Sequence, residues 1–140
     1  MNCAFCDPDI LSRQIIYHDD QCSAILDYKP AVQGHMLIIP NRHVERFEDL
    51  TTKELIAIHS MIGKVNLAEQ KIFGATGYLL MQKNGKEAGQ SVPHVHFHYF
   101  PRNIHQSQLW LALWIFIAHW QKPLSLEKME DLKLKFADTL

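Results

Sequence analysis

The chain predicts an α+β domain built on a five-stranded, mainly antiparallel sheet, with one long helix and C-terminal helices. Three observations carry this. Short apolar, β-branched runs bounded by turn residues cluster before Pro40 and again after Gly74. One long amphipathic stretch lies between the two groups, and two further helical stretches close the chain.

From Gln14 to Tyr17 and from Cys22 to Tyr28 the residues read as two strands, with Asp19 and Asp20 at the turn. Lys29 to Gly34 contains Pro30 and Gly34 and reads as a loop. His35 to Ile39 is a third strand, stopped by Pro40. Thr51, followed three positions later by Glu54, forms a capping box that satisfies orphan backbone donors at a helix start. Behind it Leu55, Ile58, Ile62, Val65 and Ile72 keep a mostly helical spacing, so one face is apolar. About 20 residues of helix span roughly 30 Å, enough to cross a sheet, and Gly74 and Gly77 lie beyond its end. Gly77 to Lys83 is a fourth strand, Asn84 to Ser91 a turn-rich loop, and His94 to Phe100 a fifth strand ended by Pro101. Helices are expected near Ser107–Gln121 and Ser125–Thr139.

Composition narrows the class. The 140 residues fit one domain, spanning residues 1–140. Apolar residues at 47% and charged residues at 21% are globular values and exclude wholesale disorder. A formal net charge of −1 argues against a dedicated nucleic-acid or membrane-surface binder, though not against a phosphorylated small ligand held by local donors. The polar N-terminus shows no export signal, and the longest apolar run, Leu109 to Trp120, is about half of what a spanning helix needs. That run reads as a packed helix or, given Trp110, Trp114 and Trp120, an oligomer surface. The expected location is the cytoplasm. Three cysteines, two of them in Cys3-x-x-Cys6, suggest a metal clip more than a disulfide framework.

Nine histidines are present, three of them at His94, His96 and His98. On a strand these imidazoles share one face at intervals of about 7 Å, while Val95, Phe97 and Tyr99 turn the other way into a core. Imidazole near neutral pH serves as nucleophile, proton carrier or metal ligand. The glycine-containing loop before the strand can turn N–H groups toward phosphate oxygens. Catalysis, metal binding and a structural role all remain open from the strand alone.

His94-Val95-His96-Phe97-His98-Tyr99-Phe100 resembles the signature of the histidine triad (HIT) family, in which three histidines alternate with apolar residues. Gly34–Pro40, Val44–Leu50, Asn84-Gly85, Glu87–Ser91 and Pro101-Arg102 resemble further HIT landmarks in order, over about residues 5–102. Residues 103–140 form a helical extension outside that match. The segments Val44–Leu50 and Glu87–Gln90 look most like the branch that cleaves diadenosine polyphosphates, the fragile-histidine branch. The resemblance implies a homodimer with one continuous sheet, and hydrolysis of dinucleoside polyphosphates or nucleoside phosphoramidates through a nucleotidyl-histidine. A nucleotidyltransferase with the same intermediate, or a nucleotide-binding regulatory protein with slow turnover, are the alternatives. By resemblance His96 attacks the α-phosphorus and His98 contacts and helps protonate the leaving group. His94 and His35 support the triad, while Ser91 and neighbouring backbone donors at Gly89 and Gln90 hold phosphate oxygens.

Asp27 lies where the family places a residue that bonds the ribose hydroxyls, and a carboxylate accepts from both at once. Its plain alternative is a turn cap beside Lys29-Pro30. Phe5, Ile10, Leu26 and Leu37 are candidates for the slot around the base, each with core packing as the alternative. Family members usually carry Asn or Gln two positions before Gly85; here Lys83 stands there. It holds phosphate as a point charge or points to solvent, with Asn84 or Gln82 taking over. Two cysteines do not complete a tetrahedral site, but His43 offers a third ligand. Some bacterial HIT proteins carry a Cys-Cys-His-His zinc of this arrangement, which implies Cys3, Cys6, His43 and His94 here. Four protein ligands make such a zinc structural. Cys22 reads as a small apolar residue, and no role is assigned to His18, His59, His105 or His119.

Overall fold

A computed structural model describes residues 2–139. The elements are α1 (Pro8–Gln14), β1 (Ile15–His18), β2 (Cys22–Leu26), β3 (Met36–Pro40), α2 (Thr52–Phe73), β4 (Gly77–Gln82), β5 (Phe97–Arg102), α3 (Gln108–Ile117) and α4 (Leu126–Ala137). The five strands form one antiparallel sheet in the order β1-β2-β3-β5-β4. The expected α+β class and sheet therefore stand, and four differences have physical causes.

The helix α1 is unforeseen. Asp7 accepts from the N–H groups of Asp9 and Ile10, and Pro8 starts the helix where a missing N–H costs nothing. Pro40 is the last residue of β3 rather than its stop, and it still pairs with Cys22. Pro101 likewise lies inside β5, because pairing with β3 ends at Tyr99 and only β4 flanks the strand beyond it. Most consequentially, His94 and His96 precede β5, which begins only at Phe97. Pro93 has no N–H to give, and the Val95 N–H goes to the carbonyl of Val44 instead of to a strand of the sheet.

One sheet face packs against α2. Its capping box forms as expected, and Gly74 closes it in the left-handed region at φ 66°. Ile58, Met61, Val65 and Ala68 meet Ala24, Leu26, Met36, Ile38, Phe97 and Tyr99 in the main core. Each large side chain buried there contributes roughly 1.5–3 kcal/mol. Helix α4 closes one end through Met129 and Phe136, and the Tyr17 hydroxyl donates to the Phe136 carbonyl at 3.1 Å. The opposite sheet face carries Phe5, Ile25, Leu37 and Ile39 under the N-terminal segment, and Phe100 under Leu111 and Ala118 of the C-terminal segment.

Glu69 of α2 is fully buried, and neither carboxylate oxygen finds a hydrogen-bond partner among the described residues. Gly34, at φ 86°, leaves room for it: a Cβ there would stand 2.5 Å from Oε2. Burial pushes this carboxyl up to about 8 from an ordinary value of 4.5. The folded chain thus keeps a proton that the unfolded chain releases, so stability is full below pH 4.5 and falls as pH rises toward about 8. Glu69→Gln is expected to out-melt the wild type by about 5 °C or more at pH 8, an advantage that shrinks toward pH 4. A pH-independent difference in thermal melts would contradict this.

Candidate active site

Proton positions around the histidines follow from partners that can act in one way only. The Pro40 carbonyl, 2.8 Å from His94 Nε2, can only accept. His94 therefore carries its proton on Nε2, and Nδ1 is bare. The His94 carbonyl accepts from His96 Nδ1 at 2.8 Å, so the bare nitrogen of His96 is Nε2. The Ala31 N–H donates to His35 Nδ1 at 3.1 Å, which places the His35 proton on Nε2. That proton faces His98 Nδ1 at 2.9 Å, so neutral His98 presents an Nε2–H donor.

All four rings stay neutral near pH 7. Burial holds His96 below its ordinary value of 6.5, with the Lys83 charge adding to it, against the His94 carbonyl. Burial, then His96 and Lys83, takes His98 down to about 3. Burial also lowers His94 and holds His35 well below the usual range. A bare imidazole nitrogen and an N–H donor thus stand side by side, ring centroids 5.0 Å apart.

The expected common face is corrected for His94. Lying before β5, it turns its ring away from the cavity toward the N-terminal segment. There Nδ1 lies 3.5 Å from Cys3 Sγ and 3.5 Å from Cys6 Sγ, while Cys6 Sγ lies 3.2 Å from His43 Nδ1. A tetrahedral zinc with Zn–S near 2.3 Å and Zn–N near 2.0 Å sets S···N at roughly 3.5 Å. All four ligand atoms lie within 4.8 Å of one another, so the residues fit that ion. Burial and the Cys3 neighbour push the Cys6 thiol up to about 11, a proton that a coordinating cation would displace.

Two cavities meet at His96 and His98. The larger, about 470 Å³, falls within the usual size of small-molecule sites, roughly 300–1,000 Å³. Phe5, Ile10 and Leu37 line it, with Asp27 at its polar edge. Leu26 does not belong to it. Strand residues alternate, so Leu26 points into the main core behind the sheet. Asp27 takes the Lys29 N–H at 2.9 Å, and its Oδ2 lies 3.6 Å from His35 Nε2. Burial raises its carboxyl to about 6, opposed by the Lys29 N–H.

The smaller cavity is lined by Lys83, Gly89 and Ser91 beside the two histidines. Asn84 and Gln90 line neither cavity; they brace the loop. Asn84 Oδ1 accepts from the Phe47 N–H at 2.8 Å. Gln90 ties the Gly85 N–H to the Glu45 carbonyl, at 2.7 and 2.8 Å.

The HIT domain family pattern matches residues 11–105. The chain belongs to the HIT family. An asymmetrical bis(5'-nucleosyl)-tetraphosphatase of Schizosaccharomyces pombe is 39% identical over 89 residues, 64% of this chain and 49% of that protein. The chain thus spans about half the length of that relative. A bis(5'-adenosyl)-triphosphatase of Dictyostelium discoideum is 30% identical over 121 residues, 86% of this chain and 81% of the relative. A zinc-bound histidine triad family protein from Mycobacterium smegmatis superposes at TM-score 0.73 with 25% identity, covering 99% of this chain and 95% of that one.

One part of this HIT site has no signal in the sequence. Leu124, Leu126 and Met129 close the larger cavity from the C-terminal side, held by the Leu124 N–H on the Tyr28 carbonyl at 2.7 Å. Nothing local to residues 118–129 announces that they fold back over a site near residue 96. Among the described residues, no helix is long and apolar enough to cross a membrane.

Proposed function

We propose that this chain is a HIT nucleotide hydrolase that cleaves at the α-phosphate of dinucleoside polyphosphates or nucleoside phosphoramidates and releases a nucleoside monophosphate. The carrying observation is the bare Nε2 of His96 beside the Nε2–H of His98, both at the floor of a nucleoside-sized apolar cavity. The Nε2 lone pair forms an N–P bond as the bond to the leaving group breaks. The leaving group departs with the electron pair, steadied by a hydrogen bond from His98 Nε2–H. Water then attacks the phosphorus as the N–P bond breaks, loses its proton to solvent, and the N–P electron pair returns to His96 Nε2. Each step is easier than direct attack by water. The Ser91 hydroxyl and the Lys83 charge stabilise the phosphate oxygens as charge builds; the Gly89 N–H, expected to join them, is held by the Lys86 carbonyl at 2.9 Å. Two in-line displacements return the phosphorus to its starting configuration.

On this reading Asp27 accepts from the ribose hydroxyls, which requires its ionised form. Asp27→Ala is expected to raise KM about tenfold or more for an adenine dinucleotide, with a smaller loss in kcat. In the wild type KM should climb as pH falls below about 6, as the carboxylate gains its proton. Unchanged KM in the variant, or a flat KM through that range, removes Asp27 from the site. The direct test is AMP release from diadenosine tetraphosphate and adenosine 5'-phosphoramidate, with intact-mass detection of a nucleotidyl adduct.

The same reading includes a structural zinc on Cys3, Cys6, His43 and His94, and a homodimer through β4. That strand is a sheet edge with Tyr78, Leu79 and Leu80 about 40% exposed (44%, 40% and 39%), the kind of apolar edge that proteins cover. Light scattering on purified protein should give twice 16.3 kDa; a monomeric mass sinks the dimer.

A further inference from the structure

The second cavity beside the histidines has an owner outside the matched HIT segment. Its volume is about 270 Å³, and it shares Asp27, Ser91, His96 and His98 with the nucleoside cavity. Its far wall is supplied by the C-terminal end of α3 and the turn after it, through Ile115, Ala118 and His119. These residues follow the matched span, which ends at residue 105. Lys29 fastens that turn in place: its Nζ donates to the His119 carbonyl at 3.0 Å. An ammonium has three donors, so two remain for a ligand.

The chemistry of this wall differs from that of the nucleoside cavity. Lys29, Lys83 and His119 all line it. Lys83 lies along Gly89, where a Cβ would stand 3.5 Å from Nζ, and its charge acts on both His96 and His98. Asp27 and the two neutral imidazoles line the same cavity, so it brings two ammonium groups to the reacting residues. With the nucleoside in the larger cavity and the phosphorus over His96, the smaller one is the adjoining space for what is attached beyond that phosphorus.

We propose that this cavity is a leaving-group subsite, built by the C-terminal extension, and that Lys29, Lys83 and His119 select a multiply charged phosphate chain over a neutral amine. The inference rests on the hydrolase reading above and names its substrate class: dinucleoside polyphosphates, with a nucleoside polyphosphate as the departing half. Ammonium side chains hold such a chain as point charges, and the separation of two anionic halves in the transition state is where they act most strongly. An amine leaving group offers them no charge to hold.

Kinetics on the full chain test this. The ratio of kcat/KM for diadenosine tetraphosphate over adenosine 5'-phosphoramidate is expected to fall about tenfold in Lys83→Met. His119→Ala and Lys29→Met should lower it several-fold each, and the double variant Lys83→Met/His119→Ala most of all. An unchanged ratio in all of these, including equal losses on both substrates, overturns the subsite. A second readout needs no turnover: calorimetric binding of inorganic tripolyphosphate should weaken at least about tenfold in the double variant. Equal binding by wild type and double variant also overturns it. Absence of AMP release from both substrates in the wild type defeats the hydrolase reading instead, and the tripolyphosphate titration still decides the subsite.

Discussion

His96→Ala should lose at least about 10⁴-fold in AMP release from diadenosine tetraphosphate, while binding AMP within about threefold of the wild type. Protonation and aim set the size of this loss. The His94 carbonyl takes the Nδ1 proton, burial keeps the ring neutral, and Phe5 stands edge-on against it with centroids 5.3 Å apart. The ring thus presents a single lone pair in a single direction. Alanine removes the proposed nucleophile and leaves the apolar walls and Asp27 in place, so binding should survive the loss of chemistry. Rapid quench followed by intact mass should show a nucleotidyl adduct in the wild type and none in the variant. His98→Ala makes the comparison informative. It should keep forming adduct, more slowly, because its N–H assists departure of the leaving group and forms no bond to phosphorus. A His96→Ala enzyme that turns over at the wild-type rate would remove the covalent mechanism altogether.

Strand and helix placement was legible wherever a local rule governed the backbone. The capping box at Thr51 and Glu54 and the glycine at residue 74 bounded α2 within a residue or two. The reading broke where long-range partners decide. Pro40 and Pro101 read as strand stops, yet Pro40 still pairs as the last residue of β3 and Pro101 lies inside β5, because tolerance for a missing N–H depends on which side of the residue has a neighbour. The helix α1 went unread because its start, Asp7-Pro8, is followed by too few apolar residues to show a period.

For the candidate site, spacing and motif pointed to residues that the fold gathers, and failed on orientation. Alternation along a strand aimed His94, His96 and His98 one way; only His98 is on the strand. His94 instead turns to the cysteines, and that turn sets His96 through the carbonyl between them. Residues such as Leu26 and Asn84 had the right neighbours in sequence and the wrong side of the backbone in space. His119 carried no motif because its place beside the cavity comes from a tertiary fold-back, to which local pattern is blind.

Loss of the proposed zinc ligands should be felt at His96 without any contact to substrate. Cys6→Ser and Cys3→Ser are each expected to drop bound zinc from near one per chain to below about a tenth, and to lower the melting temperature by several degrees. They should reduce kcat for AMP release about 10–100-fold with little change in KM. The route is short. A cation on His94 Nδ1 would work with the Pro40 carbonyl on Nε2 to fix that ring from both ends. The backbone of the same residue then offers the carbonyl that sets the His96 tautomer. Without the metal, the residues around Cys3 and Cys6 keep apolar packing against Ile25, Leu37 and Ile39 but only weak thiol contacts to His94. Chelation of the wild type should reproduce the variants and be reversed by added zinc, whereas the variants should not respond. Elemental analysis decides the first point and thermal melting the second, independently of turnover. Wild-type protein with well under half an equivalent of zinc, or cysteine variants with unaltered melting and kcat, would show that the thiols are ordinary packing and that His94 needs no metal to aim its neighbour.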